Sequence, residues 1–118
     1  MSALRTFAVA SALMVAQAAW AQSSPPADSR ETESFVLRYR CDDGLAIAVA
    51  YPSYKDANRE PIRLSFQGRR YVMHIARSGS GARYVTRNGR LEWWTKGNQG
   101  FLAVPGISPA VASGCVEF

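Results

Sequence analysis

One histidine and two cysteines are all the imidazole and thiol groups in this chain of 118 residues. Zinc sites are built largely from such groups, three or four at a time, so no metal site is expected. No G-x-x-x-x-G-K-[ST] segment opens a helix, which excludes a phosphate-binding loop of that type, and no cofactor is expected. Acidic groups are also scarce, with 9 Asp+Glu against 14 Lys+Arg. His74 with Ser78 or Ser80 lacks a nearby acid to orient it as a base and nucleophile pair. Asp42 and Asp43 are adjacent in a turn, so they do not face one another as an acid and a base. The chain is therefore read as a non-enzyme with no catalytic residue. Its length allows one small domain and excludes a multidomain enzyme.

Long apolar runs are absent except at the start, where Arg5 precedes an apolar stretch from Thr6 to Ala16 and then Gln17-Ala18-Ala19-Trp20-Ala21. This is the pattern of a secretory signal peptide, with Ala19 and Ala21 forming an A-x-A cleavage site. The apolar run is shorter than the roughly 20 residues that span a bilayer. Residues 1–21 are thus expected to be removed, leaving no transmembrane segment, and no cysteine lies beside the cut to carry a lipid. The exported product is expected to be a soluble periplasmic protein, a monomer or a weak dimer. Residues 22–34 are polar, contain Pro25 and Pro26 and show no periodicity, which reads as a flexible linker.

The remaining segment, 35–118, holds twelve Lys+Arg and six Asp+Glu, a formal +6, and ten of the twelve cations are arginine. Cys41 and Cys115, alone in an exported chain, are expected to form a structural disulfide.

From Phe35 onward apolar residues recur with period two, the signature of half-buried strands. Phe35, Leu37, Tyr39 and Cys41 alternate with Val36, Arg38 and Arg40, and after the Asp42-Asp43-Gly44 turn Leu45, Ile47, Val49 and Tyr51 alternate with alanines. Ile62, Leu64 and Phe66 form a second hairpin with Tyr71, Met73 and Ile75 across a turn at Gly68. Ala82 to Arg87 and Arg90 to Lys96 flank Asn88-Gly89, a pair suited to a type I′ turn. Phe101-Leu102-Ala103-Val104 and Gly114 to Phe118 complete about eight strands, with no convincing helix. The expected fold is all-β: a single small antiparallel barrel, with a two-sheet sandwich as the alternative.

Two segments carry more than folding requires. In Ser78-Gly79-Ser80-Gly81-Ala82-Arg83-Tyr84, glycines free the backbone for close approach and serine hydroxyls both donate and accept hydrogen bonds. In Leu91-Glu92-Trp93-Trp94-Thr95-Lys96-Gly97, alternation puts one tryptophan in the core and the other outside, and holds Lys96 at the domain rim.

These segments, with Tyr39-Arg40-Cys41 and Gly114-Cys115, resemble the inhibitors of C-type lysozyme, known as MliC when membrane-bound and PliC when periplasmic. The resemblance runs through about residues 39–116 and implies an eight-stranded antiparallel barrel that protects peptidoglycan in a Gram-negative envelope. It also implies that Ser80 and Lys96 enter the lysozyme cleft and engage its catalytic carboxylates, with Ser78 as a further contact. Gly81, Arg83, Tyr84 and Trp94 complete the expected contact set, Arg83 as a partner contact, Tyr84 more as a core or loop-bracing residue, and Trp94 as a flank for Lys96.

The competing reading is a module for an anionic envelope polymer or lipid head group, using Arg38, Arg40, Arg63, Arg69, Arg70, Arg77, Arg87 and Arg90. Nucleic acid is not an expected partner, because export removes the chain from it.

Overall fold

A computed structural model describes residues 27–118; the expected signal peptide and the first part of the expected linker lie outside these residues. Eight antiparallel strands close into a barrel in strict sequence order, each neighbour in the chain being a neighbour in the ring. They are β1 (Phe35–Arg40), β2 (Ala46–Tyr51), β3 (Ile62–Phe66), β4 (Arg69–Ala76), β5 (Ala82–Val85), β6 (Glu92–Lys96), β7 (Gln99–Ala103) and β8 (Ala112–Glu117). The only helical pieces among the described residues are short 3-10 turns, including Ala27–Glu31 just before β1. The barrel is the expected architecture, and the sandwich is excluded because every strand has two hydrogen-bonded neighbours.

Burial follows the period-two pattern. Tyr39, Ile47, Val49, Ile62, Leu64, Met73, Trp93 and Leu102 point inward and are almost wholly buried. Ile75 lies on the same side of β4 but is 39% exposed. The reason is register: β3 stops pairing with β4 at Ile62↔Met73, so Ile75 stands at the open end of the barrel without a β3 neighbour.

A polar relay runs through this core. The Trp93 Nε1–H donates to the Tyr51 hydroxyl at 3.0 Å, and the Tyr39 and Tyr51 hydroxyls lie 2.9 Å apart. Tyr39 packs edge-on to Trp93 and Tyr84 edge-on to Tyr51. Burial pushes the phenol pKa of Tyr39, Tyr51 and Tyr84 up, so all three stay protonated at neutral pH and the relay satisfies groups that would be costly to bury alone.

The seam is thin. β1 and β8 pair only at Tyr39↔Glu117 and Arg40↔Val116, and the Cys41–Cys115 disulfide closes the ring beside them. β8 carries a bulge: Gly100 faces Cys115 but Leu102 faces Ala112, so Ser113 and Gly114 include one extra residue. Gly114 sits at φ 61 against Asp42, where a β-carbon would fall 2.6 Å from the carboxyl carbon.

Two turns differ from expectation. Asn88 is not at positive φ, so Asn88-Gly89 is not a type I′ pair; only Gly89 is left-handed, at φ 70. The loop is longer: the Thr86 amide bonds to the Leu91 carbonyl, the Gly89 amide to the Thr86 carbonyl, and the Asn88 side chain accepts from the Arg90 amide. A side-chain cap replaces the tight turn. The type I′ combination instead occurs at Gln67-Gly68, with φ 49 and 76 in a two-residue loop between the paired Phe66 and Arg69.

Candidate functional site

β6 ends at Lys96, which pairs with Gln99 across the two-residue loop Gly97-Asn98. Gly97 takes φ 60, the first-position glycine of a type II′ turn. The turn leaves the lysine side chain at the barrel rim, exposed. The adjoining rim is formed by the Arg77–Gly81 connection between β4 and β5. Ser78 Oγ donates to the Gly81 carbonyl at 2.9 Å and folds this connection on itself.

Gly81 decides where that loop lies. It sits at φ 70, and a β-carbon on it would overlap the Thr95 carbonyl oxygen and approach the Lys96 β-carbon to 3.3 Å. Only glycine permits both the backbone angle and the close approach. As a result Ser80 and Lys96 line one groove of about 520 Å³, together with Trp94, Gln99, Phe101 and Ser113. Among the described residues, neither the Ser80 hydroxyl nor the Lys96 ammonium has a side-chain hydrogen bond or ion pair.

One wall of the groove is aromatic. Trp94 stacks on Phe101 with ring centres 5.9 Å apart and planes at 15°. Arg83 lies over the other part of this wall, its guanidinium 5.6 Å from the Trp94 ring centre, and its Nε donates to Glu92 Oε2 at 3.0 Å. Glu92 faces outward in β6 yet is buried; Arg83 lies against it, and it lines a cleft with residues of the 104–110 segment. Arg83 is thus held between a carboxylate and an indole.

The other residues singled out from sequence divide cleanly. Trp94 is on the groove, and Ser78 and Gly81 shape its loop. Tyr84 points into the barrel, 8% exposed, against Tyr51; its inward position in β5 takes it away from the groove. Gln99, Phe101, Ser113 and Val116 line the groove without having been singled out. Gln99 and Phe101 reach it by pairing with Lys96 and Trp94 across β6 and β7, and Ser113 and Val116 by the pairing of the bulged β8 with β7.

The chain is similar to known proteins in sequence and in fold. Residues 39–110 match the family described as "Membrane-bound lysozyme-inhibitor of c-type lysozyme", MliC. The chain is 35% identical over 103 residues to a membrane-bound lysozyme inhibitor of C-type lysozyme from Cupriavidus necator, covering 86% of this chain and 79% of that protein. The barrel resembles the crystal structure of PliC-St, a periplasmic lysozyme inhibitor of C-type lysozyme from Salmonella typhimurium, with a TM-score of 0.62 and 25% identity over 73% of this chain and 99% of that one. With its closed eight-stranded barrel, its seam disulfide and a family match across most of the barrel, this chain belongs to the MliC family of C-type lysozyme inhibitors, proteins that block an enzyme and are not enzymes themselves.

Proposed function

We propose that this chain is an exported, periplasmic inhibitor that stops C-type lysozyme by placing the Ser80 hydroxyl and the Lys96 ammonium against the enzyme's two catalytic carboxyl groups. A glycosidase of the retaining type keeps two carboxyl groups about 5 Å apart, one protonated and one ionised. An ammonium pairs with the ionised one through a charge-assisted hydrogen bond, and a hydroxyl can donate to or accept from the other. Both groups would occupy the space that the glycan needs.

The observation that carries this reading is the shared groove: Gly81 against Thr95 puts Ser80 beside the end of β6, where Lys96 stands. The stacked Trp94 and Phe101 would supply an apolar flank that excludes water, the setting in which a charged contact counts most. The test is lysis of cell-wall suspensions by a C-type lysozyme in the presence of the purified chain. The parent should suppress lysis and the Lys96→Ala variant should not; equal inhibition by both would overturn the assignment.

A further inference from the structure

The cationic residues are not spread evenly over the barrel. The outward positions of β1 to β4 are Val36, Arg38, Arg40, Ala46, Ala48, Ala50, Arg63, Ser65, Arg70, Val72, His74 and Ala76, and none is acidic. Register aligns them in rows across the sheet. Arg38 faces Ala48, Ala48 faces Ser65, and Ser65 faces Arg70; in the adjacent row Val36, Ala50, Arg63 and Val72 follow one another. The three alanines of β2 thus form a low floor between arginines on β1 and arginines on β3 and β4. Part of this floor is a shallow trough of about 310 Å³ lined by Arg38, Ala46, Ala48, Ser65, Gln67 and Phe118.

None of the four arginines is neutralised. Among the described residues the ion pairs are Arg59 with Asp56 and Arg83 with Glu92, neither of them in these rows. Arg40 instead lies over the Phe118 ring at 4.6 Å. Exposed apolar side chains border the charges: Val36 and Phe118 are at least 60% exposed, and Val72 is 46% exposed. A sheet face with four guanidinium groups outside any ion pair, no acid at its outward strand positions and apolar side chains at its margins matches the interfacial zone of a bilayer, where phosphates take the cations and the apolar groups enter the headgroup boundary; carboxylates stand only at its edge, where Arg63 shares a cleft with Asp56 and Glu60. In the eight-membered ring β2 and β3 stand opposite β6 and β7, so the part of this face that carries Arg38, Arg63 and Arg70 is turned away from the Ser80 and Lys96 groove, while Arg40 is paired with Val116 at the groove's edge.

We infer that the outer face of β1–β4 is a docking surface for an anionic phospholipid bilayer, with Arg38, Arg40, Arg63 and Arg70 on headgroup phosphates. Such docking would hold the barrel at a membrane with its inhibitory groove directed outward. The inference does not depend on the lysozyme reading, since Arg38, Arg63 and Arg70 do not line the groove.

Co-sedimentation with vesicles tests it. The purified chain should bind vesicles of phosphatidylglycerol and phosphatidylcholine in equal parts, should not bind phosphatidylcholine alone, and should be released as salt rises. Each arginine at an anionic surface is worth about a five-fold change in binding, so the triple variant Arg38→Gln, Arg63→Gln, Arg70→Gln should bind about a hundred-fold more weakly. Its thermal midpoint and its inhibition of lysozyme should not change. A matched triple, Arg77→Gln, Arg90→Gln, Lys96→Gln, removes the same charge away from this face and should keep vesicle binding. Equal loss in both triples would show that net charge alone acts, and unchanged binding in the first, or equal binding to neutral vesicles, would overturn the inference.

Discussion

The Gly81 α-carbon is pressed against the carbonyl oxygen of Thr95, so closely that no β-carbon fits between the β4–β5 connection and the end of β6. This single approach couples the loop that carries Ser80 to the strand that carries Lys96. Any residue other than glycine must move the loop or the strand.

Gly81→Ala should therefore lower stability by about 1–3 kcal/mol, from its left-handed angle and its overlap with Thr95, and weaken lysozyme inhibition as the groove opens. Gly79 is the control, since a β-carbon there meets nothing within 4 Å. Urea denaturation and the lysis assay on both variants check this; an intact Gly81→Ala protein with full inhibition would contradict it.

Lys96→Ala and Ser80→Ala should leave the unfolding midpoint unchanged, because both side chains are exposed and unpaired among the described residues. Inhibition should fall, by about 1.5–3 kcal/mol for the charged group and about 0.5–1.5 kcal/mol for the hydroxyl. Titration calorimetry against a C-type lysozyme gives both numbers.

Arg83→Met should cost about 1–2 kcal/mol, less than the loss of a fully buried partner because both side chains retain some exposure. It leaves the Glu92 carboxylate buried without its Arg83 bond and uncovers one part of the Trp94 ring. Glu92→Gln in the same background should recover part of the loss, and a double-mutant cycle by chemical denaturation measures the coupling.

Alkaline pH should destabilise the barrel in proportion to its buried phenols. Tyr39, Tyr51 and Tyr84 have folded-state pKa values above 10.0 because burial disfavours the phenolate. Their contribution is complete below the unfolded pKa and is lost as pH rises beyond it, since the unfolded chain then releases protons that the folded chain keeps. Each phenol adds to the fall above pH 10, by at most about 1.4 kcal/mol per pH unit while it is ionised in the unfolded chain and protonated in the folded one. Denaturation between pH 9 and 12 should show a shallower fall for Tyr84→Phe than for the parent.

Reduction of Cys41–Cys115 should remove about 4 kcal/mol, the loop-closure contribution of a bridge that spans 74 residues. Because β1 and β8 share only two residue pairs, the seam should open first. Hydrogen exchange of the β8 amides with and without reductant would reveal it.

Much of this was legible in the sequence. Alternation at Phe35 to Cys41, Ile47 to Tyr51 and Ile62 to Phe66 predicts which side chains are inside, because strand side chains point to opposite faces whatever their partners. The inward placement of Trp93 follows in the same way, and the pairing of Cys41 with Cys115 follows from their being the two cysteines of a chain read as exported. The turns were less legible. Gln67 adopts a positive φ that Asn88 does not, since loop length and side-chain caps choose between turn types that neighbouring residues alone leave open.

Local sequence determined strand number, face and charge, because each is a property of a residue and its next neighbours. Tertiary structure alone decided three things: that Gly81 meets Thr95 and sets Ser80 in the groove with Lys96, that β7 and the bulged β8 supply the rest of its lining, and that Arg38, Arg40, Arg63 and Arg70 gather on β1, β3 and β4. These depend on register and closure between residues distant in the chain, and that is information that no local pattern carries.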